Sequence, residues 1–468
     1  MKILLLKWAE KVGGRSVDPS FVQDITGIYP PLGLLYIASS LIKAGFDVSV
    51  LDLPARKLDL NGLKDHLLKE SYDIAGFTST TLLWPQTAFG ISFLKSVLPE
   101  AITVLGGPHT VLFYRECLAL KDLDYVVVGE GEKSMVELAS ALQDGGSAEE
   151  IKGVAFRKGD DICFSGPRQL LDINEISFPA RHLIDQKEYM SIMAKKPFAT
   201  MVTSRGCPFR CHFCTQVYWQ NRFRMRSADN VLQEIEEITG RYRVREIMMY
   251  DETFLIDKKR VLDISRGIEE NRMKFRWDIR TRIDTIDDDV LEAIKKAGCY
   301  KVHVGIESGT DRILGKMNKN ICTQEIRLTV NKLKKYGFEV LGYFMIGYSG
   351  ETLEEIQETI RFSLSLPLDW AHFNITLPVP AVPLFDDAVQ KGIIKQDYWS
   401  RYTLLEGDVE PPPYFPDSGL SQVELEALLK KAYRKFYIRP SKIFNCSVKM
   451  MDKDRIKNSL TGFLSLFR

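Results

Sequence analysis

Short apolar runs rich in β-branched residues recur along this 468-residue chain, separated by stretches that are apolar every third or fourth position. The first pattern predicts strands and the second amphipathic helices. Strands are predicted at 2–6, 48–53, 73–78, 102–106 and 125–129, with helices at 32–44, 60–69, 87–98 and 133–142. This alternation predicts βαβ units and a doubly wound parallel sheet covered on both faces. Residues 153–166 read as a hairpin turning at Lys158-Gly159-Asp160-Asp161. A linker follows through Leu171-Asp172-Ile173-Asn174-Glu175-Ile176 and Phe178-Pro179-Ala180-Arg181.

The alternation then resumes. Strands are predicted at 200–204, 246–250, 275–280, 301–306, 339–346 and 372–377, with helices at 229–240, 259–270, 288–297, 324–336 and 353–364. Six βα repeats predict an open six-stranded (β/α)6 partial barrel, whose working face lies at the C-terminal ends of its strands. Beyond residue 401 come the rigid connector Pro411-Pro412-Pro413-Tyr414-Phe415-Pro416 and an amphipathic helix over 421–436. The expected units are 1–145, a hairpin and linker at 146–195, the barrel at 196–400 and a helical region at 401–468.

Composition narrows the class. Hydrophobic residues are 45% and charged residues 27%, as in an ordinary globular protein. The net charge of +1 gives no global field favouring nucleic acid. No run of 18 apolar residues marks a transmembrane helix, and Met1-Lys2-Ile3-Leu4-Leu5-Leu6 reads as a buried first strand, not a signal peptide. The apolar end at 460–467 suits packing on the core, with peripheral contact to a membrane or a greasy substrate as the alternative.

Three strand ends of the first sheet are rich in small residues: Thr78-Ser79-Thr80, Gly106-Gly107-Pro108-His109 and Gly129-Glu130-Gly131-Glu132. Ligands on such sheets bind at these ends, and small residues let a large flat or phosphate-bearing molecule approach the backbone. No Gly-x-Gly-x-x-Gly opens a helix after the first strand, which argues against a nicotinamide dinucleotide.

The most specific segment is Arg205-Gly206-Cys207-Pro208-Phe209-Arg210-Cys211-His212-Phe213-Cys214. Three thiolates on one tight loop suit three irons of a 4Fe-4S cubane and leave one iron open. Structural zinc would need a fourth ligand, and His212 stands between two of the cysteines, where closing a tetrahedron is awkward. A disulfide fails because three clustered cysteines cannot pair off. Cys117, Cys163, Cys299, Cys322 and Cys446 are scattered and read as small core residues. Reduced cysteines and an exposed cluster imply the cytoplasm.

The Cys-x3-Cys-x2-Cys segment resembles the signature of radical S-adenosylmethionine (SAM) enzymes. The resemblance implies that the open iron of a cluster on Cys207, Cys211 and Cys214 chelates SAM, whose reductive cleavage yields a 5'-deoxyadenosyl radical. It also assigns the other barrel-mouth motifs. Glu252 of Asp251-Glu252-Thr253-Phe254 would take the SAM amino group, with Asp251 as the alternative. Arg280 or Arg282 would hold the SAM carboxylate, as bidentate partners do. Glu307 and Ser308 of Gly305-Ile306-Glu307-Ser308-Gly309 would lie near ribose and carboxylate. Gly347 of Gly347-Tyr348-Ser349-Gly350-Glu351-Thr352 and Phe213 would lie by the adenine, although relatives often have proline where Ser349 stands.

The first 145 residues, through Tyr29-Pro30-Pro31-Leu32-Gly33-Leu34 and the glycine-rich strand ends, resemble the cobalamin-binding domain that precedes many radical SAM domains. That implies cobalamin held near Thr78, Ser79, Gly106, Gly107, His109, Gly129 and Glu130. The Asp-x-His-x-x-Gly that supplies a cobalt-binding histidine in other cobalamin proteins is missing, so no imidazole from it is expected on cobalt. His109 reads as a loop histidine, with cobalt ligation as the alternative. The tail Phe436-Tyr437-Ile438-Arg439-Pro440 also resembles these relatives and is expected to cover the barrel mouth.

The whole chain therefore resembles a cobalamin-dependent radical SAM enzyme. The implied activity is methylation of an unactivated carbon on a small-molecule or lipid substrate, fed by an electron donor such as flavodoxin or ferredoxin. The alternative is radical cyclisation, rearrangement or coupling without net methyl transfer. Pro378-Val379-Pro380-Ala381-Val382-Pro383-Leu384 replaces a Pro-Gly-Thr-Pro-Leu common in relatives, which weakens transfer of any particular substrate. A methylthiotransferase would need further cysteines in the first domain, where only Cys117 lies. A non-enzymatic sensor would not need three SAM-site motifs.

Overall fold

The computed structural model describes residues 1–8, 27–191, 193–406, 414–415, 417 and 419–439. Pro411-Pro412-Pro413, Pro440, Cys446 and the apolar end at 460–467 lie outside the described residues.

The first sheet contains β1 (Lys2–Lys7), β2 (Asp47–Asp52), β3 (Ile74–Thr78), β4 (Ile102–Gly106), β5 (Tyr125–Val127), β6 (Val154–Lys158) and β7 (Asp161–Phe164). Its order is β2-β1-β3-β4-β5-β6-β7. The first five strands are parallel, and β6 and β7 join antiparallel. The hairpin placed by the sequence between two domains thus completes the first sheet. Ile3, Leu4, Leu5 and Leu6 are all buried, as a central strand covered on both faces requires. The helix Leu32–Lys43 turns Leu34, Leu35, Ala38 and Leu41 inward. The strand order reverses beside β1, which opens a crevice at the strand carboxyl ends.

The second sheet contains β8 (Phe198–Met201), β11 (Glu246–Met249), β12 (Arg276–Thr281), β13 (Cys299–Glu307), β14 (Glu339–Ile346) and β15 (Trp370–Ile375). All neighbours are parallel in the order β15-β14-β13-β12-β11-β8, an open half-barrel. Its helices start at side-chain caps: Ser227 accepts from Asn230 N, Asp257 from Arg260 N and Thr352 from Glu355 N. A short antiparallel ribbon, β9 (Ser204–Arg205) with β10 (Arg224–Met225), brackets the three-cysteine loop.

The C-terminal helix Gln422–Tyr437 lies along the edge strand β15, not across the barrel mouth. Tyr433 Oη accepts from Phe373 N at 3.1 Å and Tyr437 Oη accepts from Ala371 N at 3.1 Å. Tyr437 Oη also donates to Ala371 O at 2.8 Å. The helix therefore satisfies backbone groups that an open edge would leave for another chain. The segment following β15 packs on the first sheet's helices. Trp84 Nε1 donates to Thr403 O at 2.7 Å, and Tyr402 Oη donates to Leu82 O at 3.2 Å. These contacts fix the two sheets' relative placement.

Candidate active site

Gly206 opens the cysteine loop at φ 84°, and a Cβ there would stand 2.1 Å from Arg222 O, so the turn admits only glycine. Buried Gln216 holds the loop's shape. Its Oε1 accepts from Cys207 N at 3.0 Å, and its Nε2 donates to Cys214 Sγ at 3.4 Å. Cys214 N donates to Cys211 O at 3.1 Å. His212 is committed elsewhere, with its backbone N donating to Met317 O and its Nδ1 3.0 Å from Lys316 O. It is not among the residues lining the cavity that the three thiols share.

The three thiols line one cavity with Phe213, Glu252, Arg280, Arg282 and Glu307. Among the described residues no three Cys, His, Asp or Glu side chains close on a single ion. Separate irons under separate thiolates fit that arrangement better than one zinc. Burial pushes the Cys211 and Cys214 thiols up. A bound cation is what holds such groups as thiolates, so the donor set fits an iron–sulfur cluster.

A second cavity, about 270 Å³, opens at the carboxyl ends of the first sheet. Thr78, Gly106, Gly107 and Gly129 line it. Gly107 sits at φ 97°, and a Cβ there would lie 2.7 Å from Thr78 Oγ1. A Cβ at Gly33 or Gly129 would meet no protein atom within 4 Å, so these positions leave room for a ligand. This glycine cradle fits the flat, amide-rimmed cobalamin. Its opposite wall comes from the half-barrel: Ser204, Arg205, Tyr218, Trp219 and Tyr250. No histidine is among the described lining residues.

Glu252 lines both cavities. Its Oε1 accepts from Trp219 Nε1 at 2.8 Å, and burial pushes its carboxyl up to about 7. The residue is open to the cavities, and a desolvated carboxyl of this kind lacks a cation, which the ammonium group of SAM would supply. Asp251 is not an equivalent alternative. It is fully buried and accepts from Thr203 N at 2.6 Å, Thr203 Oγ1 at 2.5 Å and Ser204 Oγ at 2.7 Å, so it ties β11 to β9.

Several of the expected residues are outside the two cavity linings. Ser79 is buried, its hydroxyl donating to Thr80 O and lying 3.2 Å from Thr87 Oγ1, so it does not line the cobalamin cavity. His109 is also buried, stacked on Trp84 at 5.2 Å, and burial drives its pKa down to about 3. It is a core histidine outside the cavity lining. Glu130 faces away and pairs with Arg205 at 2.7 Å and Arg224 at 2.5 Å. Ser308 is buried beside Thr310 and Thr359, and Gly347 faces Leu425 of the C-terminal helix. Neither is in the cluster cavity's lining.

The remaining positions converge. Arg282 has Asp284 on Nε and Nη2, Lys319 O on Nη2 and Cys211 Sγ on Nη1 at 3.1 Å. Arg280 donates to Met249 O and lies 3.7 Å over the Tyr250 ring. Glu307 sits at φ 68°, a conformation held in place by its 2.9 Å ion pair with Lys319. Sequence reasoning missed Gln216, Trp219 and Lys319. Gln216 and Trp219 lie beyond the signature and reach the site as the loop folds back, while Lys319 comes from the segment after the helix Asp311–Lys316.

The Radical SAM superfamily model matches residues 201–363, and the B12 binding domain model matches residues 21–139. An uncharacterized methyltransferase of Pyrococcus horikoshii is 33% identical over 417 residues, which cover 88% of each chain. The chain belongs to the cobalamin-dependent radical SAM enzymes. An anaerobic magnesium-protoporphyrin IX monomethyl ester cyclase of Cereibacter sphaeroides is 28% identical over 432 residues, covering 89% of this chain and 68% of the cyclase. The same fold is seen in the radical SAM methyltransferase TsrM of Kitasatospora setae, solved with cobalamin and a [4Fe-4S] cluster bound. Its TM-score is 0.67 at 18% identity, over 83% of this chain and 75% of TsrM. The cofactors of this radical SAM enzyme are a 4Fe-4S cluster, SAM and cobalamin. No helix among the described residues is long and apolar enough to cross a membrane.

Proposed function

We propose that this radical SAM enzyme methylates an unactivated carbon of a small-molecule or lipid substrate. The observation that carries the reading is the meeting of the two cavities at Glu252. A carbon placed there would lie between two cavities whose residues fit the two cofactors. When bound, SAM at the cluster supplies a hydrogen-abstracting radical and cobalamin supplies the methyl group, chemistry that no acid–base side chain performs on an inert carbon.

The chain's own residues bind and orient. Cys207, Cys211 and Cys214 hold the cluster. Glu252 accepts charge-assisted hydrogen bonds from the SAM amino group. Arg280 would take the SAM carboxylate, because the donors of Arg282 are already committed to Asp284, Lys319 O and Cys211. Arg282 would instead polarise the Cys211 sulfur that holds the cluster, and Phe213 walls the cavity. Thr78, Gly106, Gly107 and Gly129 cradle cobalamin. A reduced cytoplasm and a flavodoxin or ferredoxin donor suit an oxygen-sensitive cluster.

The test is anaerobic reconstitution with trideuteromethyl-SAM, cobalamin, reductant and a small-molecule and lipid extract. A product carrying the labelled methyl on carbon is expected. The likeness to the cyclase of Cereibacter sphaeroides favours a second reading, radical cyclisation. In that case SAM is consumed and the product gains no labelled methyl.

A further inference from the structure

The loop between β9 and β10 has two working faces. Cys207, Cys211 and Cys214 line the cluster cavity, while Tyr218 and Trp219 line the cobalamin cavity. Gln216 stands between them and grips both. Its side chain holds Cys207 N and Cys214 Sγ, and its carbonyl accepts from Trp219 N at 3.1 Å and Asn221 N at 2.9 Å. Arg205, next to the loop's first glycine, lies 5.6 Å from the Trp219 ring and 5.4 Å from the Tyr36 ring. The same guanidinium pairs with Glu130 at 2.7 Å and Glu132 at 2.5 Å, beside the strand end that cradles cobalamin.

We infer that Trp219, braced by Arg205, couples the two cofactor sites, so that cobalamin binds tightly only once the cluster has ordered the loop carrying Trp219. The inference rests on the cofactor assignments above and concerns this chain's own wall residues. Three iron–sulfur bonds fix one face of a short loop. Without them only the Gln216, Arg205 and Glu252 contacts hold Tyr218 and Trp219, and the remaining cost of ordering falls on cobalamin binding. A ligand that orders a segment first lowers the cost of ordering for the second, and the effect is reciprocal. Trp219 acts here as a positioning residue. Its indole holds Glu252 at 2.8 Å on one edge while the ring closes the cobalamin cavity.

The test measures hydroxocobalamin binding by absorbance, anaerobically, on full-length protein with the cluster reconstituted and on the same protein freed of iron. The dissociation constant should rise about tenfold or more when the cluster is removed, within the usual range of coupling. Iron retained against a chelator at equilibrium should rise correspondingly when hydroxocobalamin is added. Trp219→Ala, with normal iron and sulfide, should bind hydroxocobalamin weakly and show a loaded-to-iron-free ratio near one. Trp219→Phe keeps the wall and should keep most of the ratio. Equal affinity in the parent with and without cluster overturns the coupling, as does a full ratio in Trp219→Ala. Absence of hydroxocobalamin binding in both states would instead overturn the cobalamin assignment itself.

Discussion

Arg205 and Glu130, seventy-five residues apart, form a buried ion pair at 2.7 Å between the cysteine loop's first flank and the cobalamin cradle. Glu132 and Arg224 complete the network at 2.5 Å each. Burial disfavours the guanidinium, yet the two glutamates hold it well above its ordinary pKa, and the two arginines hold Glu130 low. Arg205→Ala would leave two carboxylates buried without their principal cation. It should destabilise the protein by about 3–5 kcal/mol, read as the shift in urea unfolding. Glu149→Gln breaks the exposed pair with Lys158 and should leave the transition in place. Equal effects of the two substitutions would show that the buried network contributes no more than a surface pair.

Replacing Cys207, Cys211 and Cys214 together by alanine should abolish iron, sulfide and brown absorbance after reconstitution. Gln216→Ala should keep the cluster but release iron faster to a chelator, because Cys207 N and Cys214 Sγ both lose a partner. Full iron content in the triple variant would sink the cluster assignment.

The alternation of strand and helix was legible because each element buries one consistent face, and the sheet and barrel strands lie within a few residues of their expected places. The cysteine loop was legible because thiolate spacing is local chemistry. What the sequence hid was direction and long-range pairing. Ser79, His109 and Ser308 sit in the right motifs but turn inward to partners such as Thr87, Trp84 and Thr359. Glu130 was expected near the ligand, and it ion-pairs with Arg205 and Arg224, which lie far from it in sequence. Lys319 and Trp219 carry no motif, since their roles arise only where separated segments meet.

Adjacent Asp251 and Glu252 read as interchangeable in sequence, and their environments separate them. Glu252→Gln removes the charge facing the cavity, so SAM affinity should fall by about one to two orders of magnitude with cluster content unchanged. Asp251→Asn removes the carboxylate that receives Thr203, Ser204 and nearby Arg260. It should lower the melting temperature while SAM affinity falls less. Equilibrium dialysis with labelled SAM, beside thermal unfolding, distinguishes them. A tight-binding Glu252→Gln would move the SAM amino group away from the end of β11.

The cobalamin cavity offers cobalt no imidazole from the described residues, and His109 is held in the core against Trp84 and Phe113. Electron paramagnetic resonance of the Co(II) form should show no nitrogen splitting from a protein ligand. His109→Phe should leave that spectrum unchanged. A nitrogen pattern lost in His109→Phe would mean that the histidine leaves its aromatic stack to reach cobalt.

Glu351 links the loop after β14 to stability through pH. It is fully buried, its Oε2 accepts from Tyr348 N at 3.1 Å, and its Oε1 has no partner among the described residues. Burial pushes its carboxyl from 4.5 up to about 7. Between those values the folded chain keeps a proton that the unfolded chain has lost. Its contribution to stability is therefore greatest below the unfolded value and falls as pH rises through the window, by at most about 1.4 kcal/mol per pH unit. Above the folded value the loss is complete and the curve flattens. Glu351→Gln keeps a carbonyl acceptor for Tyr348 N but cannot ionise. The variant should gain stability over the parent progressively from about pH 5 to 7, with the melting temperatures of reconstituted protein diverging across that range and their difference levelling off above it. A parent-minus-variant difference that stays constant with pH would show that Glu351 is ionised throughout, and that the loop after β14 accommodates a buried charge.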